Sequence, residues 1–201
     1  MRETIKITKS DLNDKNEYLK ETISGDYNVE IEENLEYVKF KSISVKGFIL
    51  AKTGSGIKAG WGIEAGNGIE AGDGIKAGSG IKAGSGIEAG DGIEAGNGIE
   101  AGWGIKAGWG IEAGSGIKAG SGIEAGSGIE AGWGIEAGDG IEAGEGIKAG
   151  KSIITLYKGI QAKFISCLKL TVGFYSEEKQ IIKARLIKGL ILGEFQDEKE
   201  D

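Results

Sequence analysis

The chain contains no histidine and no proline, and only one cysteine and one methionine among its 201 residues. Without histidine it lacks the usual base of Ser and Cys triads and the commonest metal ligand. A single cysteine closes no internal disulfide, and the apolar setting of Cys167 in "KFISCLKL" points to a buried, inert thiol. No run approaches the ~20 apolar residues of a membrane-spanning helix, and "MRETIKITKSDL" has no signal-peptide core, so a cytoplasmic protein that avoids membranes is expected. The missing proline, together with glycine gaps that alternate between two and four residues, excludes a collagen-type bundle.

What the chain has in excess is glycine, 39 residues of it, and the glycine is patterned. From Ile57 to Ile147 an isoleucine recurs at every sixth position, in sixteen units of the form G-I-(K/E)-A-G-x. Ile and Ala are two apart, so in an extended strand they share one side while the Lys or Glu between them takes the other. The G-x-G that follows reads as a sharp corner whose glycines supply positive φ. Such a unit cannot bury its Ile alone but does so against a stacked copy, which is the grammar of a parallel β-solenoid. A helix is excluded, because two Gly in six residues would cost roughly 2 kcal/mol per unit relative to Ala. A flexible linker would have no reason to hold Ile in register sixteen times.

Two coils satisfy this period. A two-sided coil makes about eight turns and runs roughly 38 Å, and a three-sided coil makes a little over five turns and runs roughly 25 Å, at about 4.8 Å per turn. The two-sided coil gathers Trp61, Trp109 and Trp133 on one edge and leaves Trp103 on the other. The three-sided coil spreads the four Trp over all its corners.

Over residues 56–150 the array resembles the hexapeptide-repeat proteins, left-handed triangular β-helices whose six-residue units each turn one aliphatic residue inward. That family places its second, small inward residue two positions before the aliphatic one. Here that position is the variable Trp, Asn, Asp, Ser or Glu, and Ala falls two positions after. The array is also similar in plan to pentapeptide-repeat solenoids, some of which look like DNA and block DNA-binding enzymes. The short length, the flanks rich in Lys, Glu and Ile, and the near-identical repeats look like a small phage protein of the anti-CRISPR type, an inhibitor of a host nuclease.

The flanks divide the chain into residues 1–52, 53–150 and 151–201. "TIKIT" alternates as a strand, "SDLNDKNEYLKETI" carries a Ser10 or Asp11 cap with Leu12, Leu19 and Ile23 at helical spacing, and "YVKFKSISVKGFIL" returns to strand. After the array, "SIITLYKGIQAKFISCLKLTVGFY" is β-rich, and "EEKQIIKARLIKGLIL" suits a terminal helix or a further strand. The expected fold class is therefore mainly β, a parallel β-solenoid (β-helix) of sixteen six-residue units between a small α/β N-terminal cap and a β-rich C-terminal cap. Caps are needed because an open rung is an unpaired edge. Lys169, Lys179, Lys183, Arg185 and Lys188 give the C-terminal block a basic surface for an acidic partner or a homodimer, and "EFQDEKED" reads as a solvated tail.

No catalytic residue, metal site or cofactor is expected. The G-x-G triplets recur at every corner without a βαβ context, the outward carboxylates are not a buried perturbed pair, and Asp73, Asp91 and Asp139 are too irregular for a calcium repeat. The net charge is −7, and residues 53–150 hold 6 basic and 14 acidic side chains. An acidic rod repels nucleic acid and anionic membranes and suits a basic protein groove, although the same balance also serves solubility. The one-signed runs Glu88, Glu94, Glu100 and Glu124, Glu130, Glu136, Glu142 are candidate contacts that would imitate nucleic-acid charge. Trp61, Trp103, Trp109 and Trp133 are the other candidates, since a corner side chain points away from a core filled by Ile and Ala. The leading expectation is a non-enzymatic protein that binds and blocks a protein partner such as a nucleic-acid-binding complex. The alternative is a structural spacer with self-associating ends.

Overall fold

In the computed structural model, which describes residues 2–172, 181–184, 186–192 and 194–197, the chain winds into a three-sided parallel β-solenoid. Ile57 lies beside Ile75 and Ile75 beside Ile93, so one turn takes three units, one per face. The three-sided coil is thus the one adopted. The first face holds Ser55–Ala59, Ile75–Ala77, Ile93–Ala95, Ile111–Ala113, Ile129–Ala131 and Gly146–Ala149. The second runs through Ile63–Ala65, Ile81–Ala83, Ile99–Ala101, Ile117–Ala119 and Gly134–Ala137. The third runs through Ile69–Ala71, Ile87–Ala89, Ile105–Ala107, Ile123–Ala125 and Ile141–Ala143.

The interior is built as the alternation requires. Every Ile of the array is at most 2% exposed and every Ala at most 6%. Burying one such Ile contributes roughly 1.5–3 kcal/mol, so each turn gains three of these terms from its own side chains. Like residues stack on like: Ile on Ile, Ala on Ala, in unbroken rows down each face.

The corner glycines serve a different purpose from the one expected. Among the described glycines only Gly25 and Gly54 have positive φ, and neither lies at a corner between two repeat units. The glycine after each Ala is required by close approach between turns. A Cβ on Gly78 would strike the carbonyl oxygen of Gly60, one on Gly108 that of Gly90, and the same holds up the coil. The glycine before each Ile is less confined, a Cβ on Gly110 standing 3.3 Å from the carbonyl oxygen of Gly128. This packing lets the corners continue the hydrogen-bond ladder: the Gly78 N–H donates to the Ala59 oxygen at 3.0 Å and the Ser79 N–H to the Trp61 oxygen at 3.0 Å. Corner backbone is therefore paired like strand backbone.

The coil does not stop where the repeat does. Glu36–Phe40 stacks on Ser55–Ala59, Ser42–Val45 on Ile63–Ala65, and Ile49–Ala51 on Ile69–Ala71, all in parallel register. Beyond the array, Ser152–Thr155, Ile160–Gln161 and Phe164–Thr171 continue the three faces, and Phe164–Thr171 turns the corner from first face to second without a break. One buried cluster runs from Ile7 to Ile182. Turn length alone changes at the two junctions. Ile49 lies beside Ile69, a turn longer by two residues than those of the array, and Ile141 lies beside Ile160, a turn longer by one. Two buried hydroxyls absorb the extra residues there. Ser55 Oγ donates to the Glu32 carbonyl at 2.6 Å and accepts from the Leu35 N–H, and Thr155 Oγ1 donates to the Lys158 carbonyl at 2.6 Å.

The helix expected between positions 1 and 52 is absent, which corrects the α/β reading of that segment. Lys9–Asp11 forms one 3-10 turn. The Asp11 carboxylate accepts from the Thr8 N–H and Oγ1, both at 2.9 Å, and Asn13 Oδ1 accepts from the N–H groups of Lys15 and Glu17. Asn16 and Glu21 sit at φ of 58° and 60°. Asp11, Asn13, Asp14 and Asn16, close together in the chain, offered the backbone local turn bonds in place of a helix. The resulting loop still closes the coil. Glu17 bridges Lys39 in parallel, and Tyr18 packs on Phe40 with ring centroids 5.5 Å apart, while Leu19 stays exposed.

At the other end, Ile181–Ala184, Leu186–Leu192 and Glu194–Asp197 are strands, so the strand reading of that segment holds and the "EFQD" of the expected tail is paired with Ile181–Ala184. Lys179 and Arg185 lie outside the described residues; Lys183 and Lys188 lie on strands. Cys167 is buried, and that burial pushes its thiol pKa up. No helix among the described residues is long and apolar enough to cross a membrane.

Candidate docking surface

Each face presents the same outward relief. The Gly before Ile and the Lys or Glu after it point away from the core, and the corner residue stands at the border between faces. A shallow trough therefore runs up each face along the Gly column, between a corner column and a charged ladder.

The ladders differ. On the second face the order Glu64, Lys82, Glu100, Lys118, Glu136 alternates in sign, with Lys82–Glu100 at 3.6 Å and Lys118–Glu136 at 3.1 Å. The third reads Glu70, Glu88, Lys106, Glu124, Glu142, with Lys106–Glu124 at 3.7 Å. The first reads Lys58, Lys76, Glu94, Glu112, Glu130, Lys148. Its two outer carboxylates are held by lysine, Lys76–Glu94 at 2.9 Å and Lys148–Glu130 at 2.6 Å, and these bonds raise the pKa of both lysines. Glu112, between them, has no ion-pair partner among the described residues.

The runs read along the chain are thereby taken apart. Glu88, Glu94 and Glu100 fall on the third, first and second faces, one each. Of Glu124, Glu130, Glu136 and Glu142, only Glu124 and Glu142 are stacked neighbours. The three carboxylates that do stack in succession are Glu94, Glu112 and Glu130, and Glu112 is the one that sequence reading passed over. Lining up the repeat by whole turns of three units, instead of unit by unit, brings it out.

The four Trp are 65–69% exposed, far more than any Ile or Ala of the array. Trp61 and Trp133 share the corner column between first and second faces, four turns apart, joined through Ser79, Asn97 and Ser115. Lys151, next in that column, lies over the Trp133 ring with its ammonium 5.9 Å from the centroid. Trp103 and Trp109 border the third face at either end of Ile105–Ala107, and each also lines a trough, Trp103 that of the third face and Trp109 that of the first.

The first-face trough has ends as well as sides. Tyr37 occupies the Gly column beside Gly56, its ring against Gly56 and its hydroxyl against Gly74. Partial burial there pushes the phenol pKa up. Phe164 occupies the same column at the far end, beside Gly146. Between the two rings the floor is Gly92, Gly110 and Gly128, with Asp91 and Trp109 on the corner side and Glu94, Glu112 and Glu130 on the other. Among the described residues no group of three His, Cys, Asp or Glu is placed to hold a metal. Comparison with protein-family models, with curated proteins and with solved structures finds no match to this chain.

Proposed function

We propose that this protein is a non-enzymatic interaction module, a stiff acidic rod that occupies a surface of a protein partner through its corner Trp residues and the ladders beside them. The observation that carries the reading is the exposure of four Trp on a scaffold that needs none of them. Ser, Asn and Asp fill equivalent corners with the same backbone bonds, so Trp contributes nothing to the coil that those residues do not. Exposed indoles on a rigid frame lose little conformational entropy on binding and are enriched at binding hot spots.

Charge sets the class of partner within this reading. The array carries a net −8, from 6 basic and 14 acidic side chains, over roughly 25 Å, about one charge per 3 Å, against one per ~1.7 Å of duplex DNA axis. That density is enough to steer a basic protein surface and to displace nucleic acid from it, which is how such a rod would block a nuclease or another nucleic-acid-binding complex. It is too low for charge alone to hold the complex, which gives the Trp their role.

The test compares what the immobilised protein retains from lysate of its own source cells with what a variant carrying Ser at positions 61, 103, 109 and 133 retains, after nuclease treatment. Retention of a defined protein by the wild type, reduced at least tenfold in a variant with the same circular dichroism and melting temperature, is expected. Equal retention by both would overturn the reading and leave the rod as a spacer.

A further inference from the structure

We infer that the first-face trough is the seat of an extended, arginine-bearing segment of the partner, with one guanidinium held between the Trp109 indole and the Glu112 carboxylate. The inference rests on the interaction reading above and assigns it to one of three faces.

Two features single out this face, the aromatic rings at the ends of its trough and the run of three carboxylates in its ladder. Its trough is closed at both ends by aromatic rings of the chain itself, Tyr37 and Phe164, whereas the second-face trough has Ser42 and Ser152 near its ends. Tyr37 also shows what the floor accepts: its ring passes over Gly56 and its hydroxyl over Gly74, where any Cβ would collide with it. From Gly74 to Gly146 there are four turns, about 19 Å, which an extended segment of five or six residues spans at about 3.3 Å per residue. The occupant is therefore a short stretch of extended chain.

Its charge follows from the ladder. On the second face each carboxylate has a lysine above or below, and the trough there offers a visiting cation nothing that the chain does not already supply. On the first face Lys76 and Lys148 pair with Glu94 and Glu130, and Glu112 is left with a carboxylate on each side and no ion pair of its own among the described residues, the two lysines acting on it only from two turns away. Asp91, next to Trp109 in the corner column, adds a further negative charge and has no ion-pair partner among the described residues either. Trp109 and Glu112 are three residues apart, on the two sides of one trough. A cation seated there is offered an indole face and a carboxylate together. Arginine suits this better than lysine, because the planar guanidinium stacks on the indole and forks to the carboxylate at once.

The experiment is a titration of the isotope-labelled full-length protein with the blocked pentapeptide acetyl-Gly-Ser-Arg-Ser-Gly-amide, followed by amide and indole NMR shifts. Its controls carry citrulline, the neutral isostere, or lysine in place of arginine. Binding in the millimolar range is expected, with shifts confined to Gly92, Gly110, Gly128 and the Trp109 indole. The citrulline peptide should give none, and the lysine peptide should bind at least threefold more weakly. Trp109→Ser and Glu112→Gln should each weaken the arginine peptide at least fivefold while leaving the remaining resonances in place. Absence of shifts, shifts spread equally over the three faces, or binding unchanged in Glu112→Gln would each overturn the assignment. Should the variant with four Ser in place of Trp lose its retained protein while Glu112→Gln keeps it, the interaction reading stands and this seat does not.

Discussion

The two glycines of each corner are equally invariant in the sequence, yet the structure gives them unequal burdens, and substituting one at a time separates them. Gly108→Ala would place a methyl group against the Gly90 carbonyl oxygen, a backbone atom with no freedom to swing aside. The turns would have to part locally. Two bonds hold them there, from the Gly108 N–H to the Ala89 oxygen at 3.0 Å and from the Trp109 N–H to the Asp91 oxygen at 3.2 Å. Losing both costs about 1–3 kcal/mol at the usual net value of such bonds. Displacing the packed turn adds about 1–3 kcal/mol, as overpacking does elsewhere. The stiffer unfolded chain returns only about 0.4–1 kcal/mol, so a net loss of about 1–5.6 kcal/mol is expected.

Gly110→Ala meets a carbonyl oxygen at 3.3 Å, which a shift of a few tenths of an ångström relieves, and φ there is not in the left-handed region. Its strain and the unfolded-state gain offset each other, for a net change within about 1 kcal/mol. Urea unfolding followed by far-ultraviolet circular dichroism gives both values. Equal destabilisation by the two variants, or a Gly108→Ala midpoint at that of the wild type, would refute close approach as the reason for the first glycine.

Three further outcomes follow from the same geometry. Glu112→Lys gives the first-face ladder strictly alternating signs from Lys76 through Glu94 and Glu130 to Lys148, and should raise stability by up to about 1 kcal/mol, measured by urea midpoint, while abolishing arginine-peptide binding. Deleting three units should shorten the rod by one turn and keep the C-terminal turns in line with the N-terminal ones. Deleting two should also leave a foldable coil, with the later turns rotated by two faces; small-angle scattering and urea unfolding check the pair, and a two-unit deletion that fails to fold would contradict the equivalence of the units. The Asp11 carboxylate is held below the usual range by the Thr8 N–H and hydroxyl, so its contribution is full above the ordinary aspartate range and is lost as pH falls through the depressed value. The Thr8 amide resonance should therefore titrate at lower pH than those of free aspartates, and a midpoint at or above the ordinary range would contradict the bond.

Much of this fold can be read from the six-residue period, because Ile and Ala two apart leave only one way to bury both. The inward rows, the three-residue strands and the outward Lys, Glu and Trp all follow from it. The number of sides does not, since the same unit tiles a two-sided and a three-sided turn, and the choice rests on how three corners pack around one core. The reason for the corner glycines lies in contacts one whole turn apart along the chain, which a local reading of G-x-G as turn chemistry does not reach. The missing helix has a similar origin. Leu12, Leu19 and Ile23 keep helical spacing, but Leu12 pairs with Tyr18, Ile23 enters a strand, and Leu19 is left outside. The candidate carboxylates were legible as a residue type and not as a surface. Glu88, Glu94 and Glu100 are neighbours in the chain and strangers on the coil, while Glu94, Glu112 and Glu130 are the reverse.

The three faces solve one stacking problem with the same backbone, so their differences report on something other than folding. On the second face, charges alternate and neighbouring side chains pair. On the first, three carboxylates stand in succession, and like charges on adjacent strands are destabilising by a fraction of about 1 kcal/mol at such exposed positions. A lysine at position 112 would remove both pairs without touching the core, because that position faces outward on every turn. Stability therefore disfavours Glu112, as it disfavours an exposed indole where Ser127 and Asp91 stand one turn away. The two departures fall three residues apart, on opposite sides of one trough, within a stretch that aromatic rings close at both ends. Other departures lie elsewhere on the coil: Trp103 borders the third face, where Glu70 stacks on Glu88 and Glu124 on Glu142. What sets the first face apart is that an indole and the middle one of three stacked carboxylates stand on the two sides of its trough, which is the pair that a bound guanidinium would use.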